Sequence, residues 1–333
     1  MINIGIDIFG GDNAPEEILK AVKIFLEKKK NIKLTLFGSE MIIKAALGEK
    51  ANVEIVHTEK FLSMGEKDPV SYLRANPDCS MAMALKYASE KKVDGVVSAG
   101  PTQALIVGAH LIIKRLENMK RTALCPILPS EDGKGKLLLD VGANLELKKE
   151  HMLELANFAT ILSREVMGIP EPITGLLNIG TEAGKGREID KETYALLEAS
   201  ETINFFGNVE TKELFSSPCH IHLTDGYTGN MVLKTMEGVF GTTSKLMREE
   251  IKRTFMGKLG YFFMRKNLAR FKKRLDPKEI GGAMLIGVKA PVIKAHGSSD
   301  AYAFYNAIQQ AEKMIGNNVI EKVKKVLNAK EEE

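Results

Sequence analysis

Short aliphatic and β-branched runs recur along this chain, each ending in a glycine-containing turn and giving way to an amphipathic stretch. That alternation constrains the fold more than any other feature. Strand candidates are Ile2–Ile8, Lys33–Phe37, Val53–Val56, Gly95–Ser98, Lys136–Leu139, Gly175–Asn178 and His220–Thr224. Helical patterns lie between them at Glu16–Lys28, Ser80–Lys91, Ala104–Leu116, Lys148–Met167 and Asp190–Ser200. Parallel strands need long crossovers, and a helix is the usual one. The expectation is an α/β fold, a three-layer α/β/α sandwich around a mostly parallel, Rossmann-like sheet. No low-complexity linker or fixed repeat divides the 333 residues, which read as a single large α/β domain, residues 1–333.

Composition excludes some classes. With 44% hydrophobic residues and a net charge of +4, the chain is neither disordered nor basic enough to suggest nucleic acid. Cys79, Cys125 and Cys219 are odd in number and widely spaced, which reads as a reducing, cytoplasmic setting without a disulfide framework or zinc site. The start, MINIGIDIFGGD, lacks the basic then apolar pattern of a signal peptide. No apolar run reaches the roughly 18 residues of a membrane span.

Ligands of open α/β sheets sit at the carboxyl ends of strands, so the turns there mark one face as the expected site. Gly10-Gly11-Asp12 follows the first strand, with Pro15 opening a helix. It is either a tight structural turn or a close backbone approach to an anion at a helix N-terminus. Ser98, Gly100 and Thr102 follow the Gly95–Ser98 strand. Asp140 and Asn144 either cap their own DVGAN turn or line a cleft. In Asn178–Gly186, Lys185 stands between two glycines, either as a solvated surface cation or as a point charge for phosphate. The stretch is not a P-loop, because Gly186 follows the lysine. Asp225–Asn230 precedes a long helix, and His296-Gly297-Ser298-Ser299 precedes another at Ala301–Ile315. Those serines could cap the helix or face an oxyanion, and His296 is structural or a substrate contact. Cys219-His220-Ile221-His222 has no second ligand cluster, and its alternation sets the cysteine opposite both histidines, so no metal is expected.

One region departs from the pattern. Residues 231–277 read as a protruding helical excursion, a hairpin too long for a crossover. Ile251–Leu275 holds nine Lys/Arg and no acid, with Phe255, Tyr261, Phe262, Phe263 and Phe271 among them. Ile251, Phe255, Leu259 and Phe262 share a helical face, with a bend expected near Gly257 and Gly260. Without those nine charges the rest of the chain is net acidic. The stretch reads either as a solvated charge run or as a surface for a membrane or partner.

Taken in order, the motifs Gly10–Asp12 with Ala14-Pro15, Ser98–Gly100, Asp140–Asn144, Leu176–Gly186, Gly207–Glu210, Asp225–Asn230, Gly281–Ala283 and Ile293–Ala301 resemble the phosphate acyltransferase family over nearly the whole chain. The resemblance implies formation of acyl phosphate from acyl-acyl carrier protein and inorganic phosphate, for phospholipid synthesis. It also implies a homodimer, peripheral attachment to an anionic membrane surface at the tip of the excursion, and a membrane glycerol-3-phosphate acyltransferase as the next partner. The chain departs from the family pattern at Phe9, Asn76, Pro77, Pro101, Gln103 and Thr211. Those departures motivate an alternative, phosphorolysis of a short acyl or acetyl thioester. A dehydrogenase reading lacks a dinucleotide fingerprint, and an inactive membrane scaffold sits poorly with the retained turns.

Phosphate is already anionic and a thiolate leaves without much acid help. Such chemistry calls for cations and N–H donors, and for no cofactor. The expected catalytic residues are Lys185, Asp225 and His296. Gly10, Gly11, Asp12, Ser98, Gly100, Thr102, Asp140, Asn144, Asn208, Asn230, Gly297, Ser298 and Ser299 are expected to bind substrate. Phe255, Leu259, Phe262 and Phe263 are expected to meet the membrane.

Overall fold

A computed structural model describes residues 1–275 and 281–329, without the side chains of 272–275 and 329. The expected end of the excursion at Pro277, the side chains of Lys272, Lys273 and Arg274, and the charged tail at 330–333 lie outside the described residues. The strands are β1 (Ile2–Asp7), β2 (Ile32–Gly38), β3 (Val53–His57), β4 (Gly95–Ser98), β5 (Ala123–Leu128), β6 (Lys136–Leu139), β7 (Ile173–Asn178), β8 (Asn204–Glu210), β9 (Ile221–Leu223), β10 (Gly282–Ile286) and β11 (Val292–Ala295). They form one sheet in the order β3-β2-β1-β4-β11-β10-β5-β6-β9-β7-β8. β4 and β6 are buried along their whole length, which is why Val96-Val97 and Leu137–Leu139 run without polar alternation.

Helices cover both faces. One core gathers α1 (Glu16–Lys28), α2 (Glu40–Leu47), α6 (Lys149–Met167), α7 (Glu188–Glu198), α10 (Ala301–Gly316) and α11 (Val319–Ala329). A second core gathers α3 (Pro69–Ala75), α4 (Ser80–Ser89), α5 (Thr102–Gly108, prolonged by a π turn) and the first turns of α8 (Gly226–Arg253). The three-layer sandwich expected from the sequence is present.

The directions of the strands correct one expectation. Adjacent pairs are parallel except at β11–β10, β10–β5 and β5–β6, which are antiparallel. The set β3-β2-β1-β4-β11 therefore runs opposite to β6-β9-β7-β8. The carboxyl ends of the two sets lie at opposite edges of the sheet. The turns do not share one face: Gly10, Ser98 and Gly297 follow strands of the first set, and Asp140, Lys185 and Asp225 follow strands of the second.

α8 and α9 (Phe255–Leu275) leave the body as two exposed helices. The break between them falls at Thr254, whose extended backbone ends α8, and not at Gly257 or Gly260. Ile251 thus lies on α8 while Phe255, Leu259 and Phe262 lie on α9. Gly257 still matters, since a Cβ there would sit 2.4 Å from the Ile251 carbonyl oxygen. No helix among the described residues is long and apolar enough to cross a membrane.

Candidate functional site

Two turns are each built around a buried carboxylate at the end of a strand. The first is Asp7, the last residue of β1. Its Oδ2 accepts from the Ser98 hydroxyl at 2.7 Å, and its Oδ1 from Phe9 N at 3.3 Å. Ser98 Oγ in turn accepts from Gly100 N at 3.1 Å, so β1 and β4 are tied end to end. Gly10 lies against this knot; a Cβ there would be 2.6 Å from Asp7 Oδ2 and 2.7 Å from Gly100 N. Gly11 takes φ of +112°, open to glycine and strained for other residues. Asp12 N donates to Gly297 O at 2.8 Å, and Asn13 Nδ2 to Ser298 O and Ser299 O at 3.2 Å each. The Gly10–Asp12 turn and the Gly297–Ser299 turn are therefore one unit. Thr102 is exposed at the start of α5, two residues beyond Gly100.

Neither serine caps α10. Asp300 does, accepting from Ala303 N at 3.0 Å. Ser298 instead pairs with the histidine: Ser298 N donates to His296 Nδ1 at 3.2 Å, with the Ser298 hydroxyl 2.9 Å from the same nitrogen. An Nδ1 that accepts leaves the ring proton on Nε2. Burial lowers the His296 pKa, Lys234 and Lys294 push it the same way, and Glu237 and Asp12 oppose them. His296 is thus a neutral imidazole at pH 7 with an Nε2–H donor. Ser299 Oγ is buried with no hydrogen-bond partner among the described residues.

The second carboxylate is Asp140, just past β6. It accepts from Leu124 N (3.0 Å), Gly142 N (3.2 Å), Ala143 N (3.0 Å), Asn144 N (2.7 Å) and Asn144 Nδ2 (2.9 Å). Five donors occupy every lone-pair direction a carboxylate has. The start of α8 packs on this turn so closely that only glycine fits. A Cβ at Gly226 would be 2.0 Å from Asn144 O, and one at Gly229 would be 1.9 Å from Asp140 O. Asn230 is exposed, one residue on, with its side chain alongside Gly142. Burial raises the pKa of both Asp7 and Asp140 against the opposing pull of their hydrogen bonds.

Asp225 caps α8, its Oδ1 accepting from Thr228 N at 2.7 Å, while Oδ2 meets Arg187 Nη2 at 2.5 Å. Arg187 also forks onto Asp190 at 3.0 and 2.9 Å. The Asp190 and Asp225 partners raise its pKa and keep it charged. Lys185 is exposed, 3.9 Å from Glu182. Asn208 holds the Lys185 loop by donating to Glu182 O at 2.8 Å and accepting from Asn178 Nδ2 at 3.1 Å; Asn178 Nδ2 also donates to Lys185 O. His220 Nδ1 accepts from Ile173 N at 3.1 Å, a structural contact. No cluster of three or more His, Cys, Asp or Glu that could hold a metal exists among the described residues.

The structure groups the expected residues into two sets, with α8 running from one toward the other. α8 begins on the Asp140 turn, and its Lys234 and Glu237 come close enough to His296 to bias its charge. Three participants went unread in the sequence. Asp7 and Lys294 are strand residues hidden beside more conspicuous glycine and histidine motifs. Arg187 directly follows the glycine at which the Lys185 motif ends. For Lys294 a signal existed, a lone lysine inside the apolar run PVIKA.

The sequence profile of a family described as "Fatty acid synthesis protein" matches residues 2–322. A phosphate acyltransferase of Acholeplasma laidlawii is 47% identical over 334 residues, covering all of both chains. One from Staphylococcus aureus is 39% identical over 332 residues, again covering both completely. Among solved structures, a phosphotransacetylase from Streptococcus pyogenes superposes with a TM-score of 0.60 at 15% identity, over 94% of each chain. A branched-chain phosphotransacylase from Enterococcus faecalis gives 0.59 at 14% identity, over 95% of this chain and 99% of that one. At such identity the two structures establish a shared fold and nothing finer.

Proposed function

This chain belongs to the phosphate acyltransferase family, and we propose that it makes acyl phosphate from inorganic phosphate and an acyl group carried as a thioester on acyl carrier protein. It is an acyltransferase. The observation that carries the reading is similarity to named phosphate acyltransferases along the full length of the chain. A phosphate oxygen attacks the thioester carbonyl, the C–O bond forms, the C–S bond breaks, and the carrier thiolate leaves to take a proton from water. The cysteines support direct attack over an acyl-enzyme. All three are buried, and burial pushes the thiols up, that of Cys219 to about 11, where none is a thiolate at neutral pH.

In these two turns, Gly10–Asp12 and Gly297–Ser299, the Gly11 and Gly297 N–H groups are given to no acceptor among the described residues, and with the His296 Nε2–H they are suited to an oxyanion. Lys185 is an exposed cation on the other edge of the sheet, the alternative place for phosphate, and Asp225 and Arg187 orient that edge. Incubation with phosphate and thioesters of graded chain length, with hydroxylamine trapping of acyl phosphate, tests the reading. Long-chain carrier-protein thioesters are expected to be the best donors. Preference for acetyl or short thioesters would favour the alternative that Pro101 and Gln103 motivate, and no product from any donor would refute both.

The finer parts of the proposal concern α8 and α9. Phe255, Leu259, Phe262 and Phe263 are all exposed, as are Val239 and Leu246 on α8. Arg265 stacks on Phe262 at 5.0 Å. Exposed apolar side chains interspersed in sequence with the exposed Lys252, Arg253, Lys258 and Lys266 fit a dimer contact and an anionic membrane surface. The same basic face suits the acidic carrier protein, and a membrane glycerol-3-phosphate acyltransferase would take the product. The localisation proposed is cytoplasmic and peripheral to the membrane. Phe262→Asp with Phe263→Asp is expected to reduce sedimentation with anionic liposomes several-fold without changing the melting temperature. Equal sedimentation of variant and wild type would remove the tip as the anchor.

A further inference from the structure

Lys294, on β11 at the first edge of the sheet, is only 7% exposed. Its ammonium donates to Ala99 O at 3.2 Å and to Ala295 O. No carboxylate of the described residues lies within ion-pair distance of it. The acids that face it are Asp7 of β1, already bonded to Ser98 and Phe9, and Asp12 of the β1–α1 turn, with Lys234 of α8 opposing them. A buried cation without an anion is a cost that folding does not repay. Here it sits behind the carboxyl ends of β4 and β11, where α/β sheets take their ligands. The turn in front of it also holds the unpaired Ser299 hydroxyl.

We infer that Lys294 is a positioning residue for the phosphate group: from behind the Ser98–Gly100 and Ala295–Ser299 turns, its charge holds the anion and its two carbonyl bonds fix the peptide planes that face it. The inference rests on the acyl phosphate reading and assigns the phosphate to this edge. Burial also brings the Lys294 amine down to about 8, so the charge disappears in an accessible pH range.

The measurements are binding of inorganic phosphate by calorimetry and steady-state kinetics in both substrates, from pH 7 to 9.5. Lys294→Met is expected to weaken phosphate binding and raise the phosphate KM at least ~10-fold at pH 7, with the thioester KM changed less than ~2-fold; one lost charge contact is worth about that much. Wild-type affinity is expected to fall above about pH 8, and that of Lys294→Met to stay flat. The ionisation of phosphate itself is common to both proteins and cancels in the comparison; loss of the Lys294 charge raises the His296 pKa, which acts at the low end of this range and not above pH 8. Unchanged phosphate affinity in a folded Lys294→Met, or a pH profile shared by the two, overturns the inference. If Lys294→Met does not fold, Lys294→Arg decides: retained binding with the fall above pH 8 abolished supports the role, and an unaltered fall overturns it. Phosphate binding that depends on Lys294 in a protein that makes no acyl phosphate would refute the reaction and leave the anion site standing.

Discussion

The Asp7 and Asp140 turns are the same device in two surroundings. Each buries an aspartate at the end of a strand, bonds it to main-chain N–H groups and presses glycine against it. Asp140 is filled by five donors, four of them from its own turn, and is then roofed by α8. Asp7 is held by the Ser98 hydroxyl and the N–H groups of Phe9 and Gly10, and a buried ammonium lies near enough to feel its charge. A carboxylate filled by its own turn and roofed by a helix shapes backbone. One that faces a charge lacking a partner shapes a place for something else.

Removing each carboxylate tests that contrast most strongly. Asp140→Ala strands five donors beneath α8 and is expected to cost about 3–5 kcal/mol in urea unfolding. Asp7→Ala is expected to cost about 1–3 kcal/mol by the same measure while reducing kcat/KM more steeply. The reverse order of stabilities would break the comparison. Next in size, Lys185→Ala is expected to lower acyl phosphate formation by about 10²–10³-fold if the second edge meets phosphate. Activity near wild type would leave that edge a scaffold throughout.

The smallest effect is on pH. Both carboxyls have native pKa values raised by burial, so the folded chain holds their protons more tightly than the unfolded one. Their contribution to stability is complete below the unfolded value of about 4 and is lost as pH rises through the native value. Asp7→Asn removes that dependence for one site. Its stability is expected to fall less steeply than wild type with pH in that window, by up to about 1.4 kcal/mol per pH unit. Parallel curves would mean that Asp7 is not buried as a charge.

Much of the sandwich was legible because strands buried between helices carry short aliphatic runs, as Val96-Val97 and Leu137–Leu139 do. β5 escaped notice because Pro126 interrupts a central strand, where a missing N–H argues against one. β8 contains Gly207 and β10 starts at Gly282, and glycine within or at the head of a strand weakens its pattern. The reversal at β11–β10–β5–β6 leaves no trace in local periodicity, because a buried strand has the same composition in either direction. The glycines and polar turn residues of the candidate site stood out by type. Asp7, Lys294 and Arg187 did not, since their importance comes from who faces them across 91, 195 and 38 residues of chain. The break at Thr254 was misplaced by three residues because glycine signals flexibility, whereas here Gly257 supplies clearance beside the break.

Mechanically, α8 is a cantilever. Its root is clamped over about three turns: Gly229 sits on the Asp140 carbonyl, Val232, Leu233 and Met236 pack on the core, and Phe240 stacks on Phe215 at 5.7 Å. At about 1.5 Å per residue, Arg253 stands about 20 Å beyond Phe240. A load on the exposed end is therefore taken up by bending of the free length, while Lys234 and Glu237, inside the clamp, keep the field around a single imidazole constant.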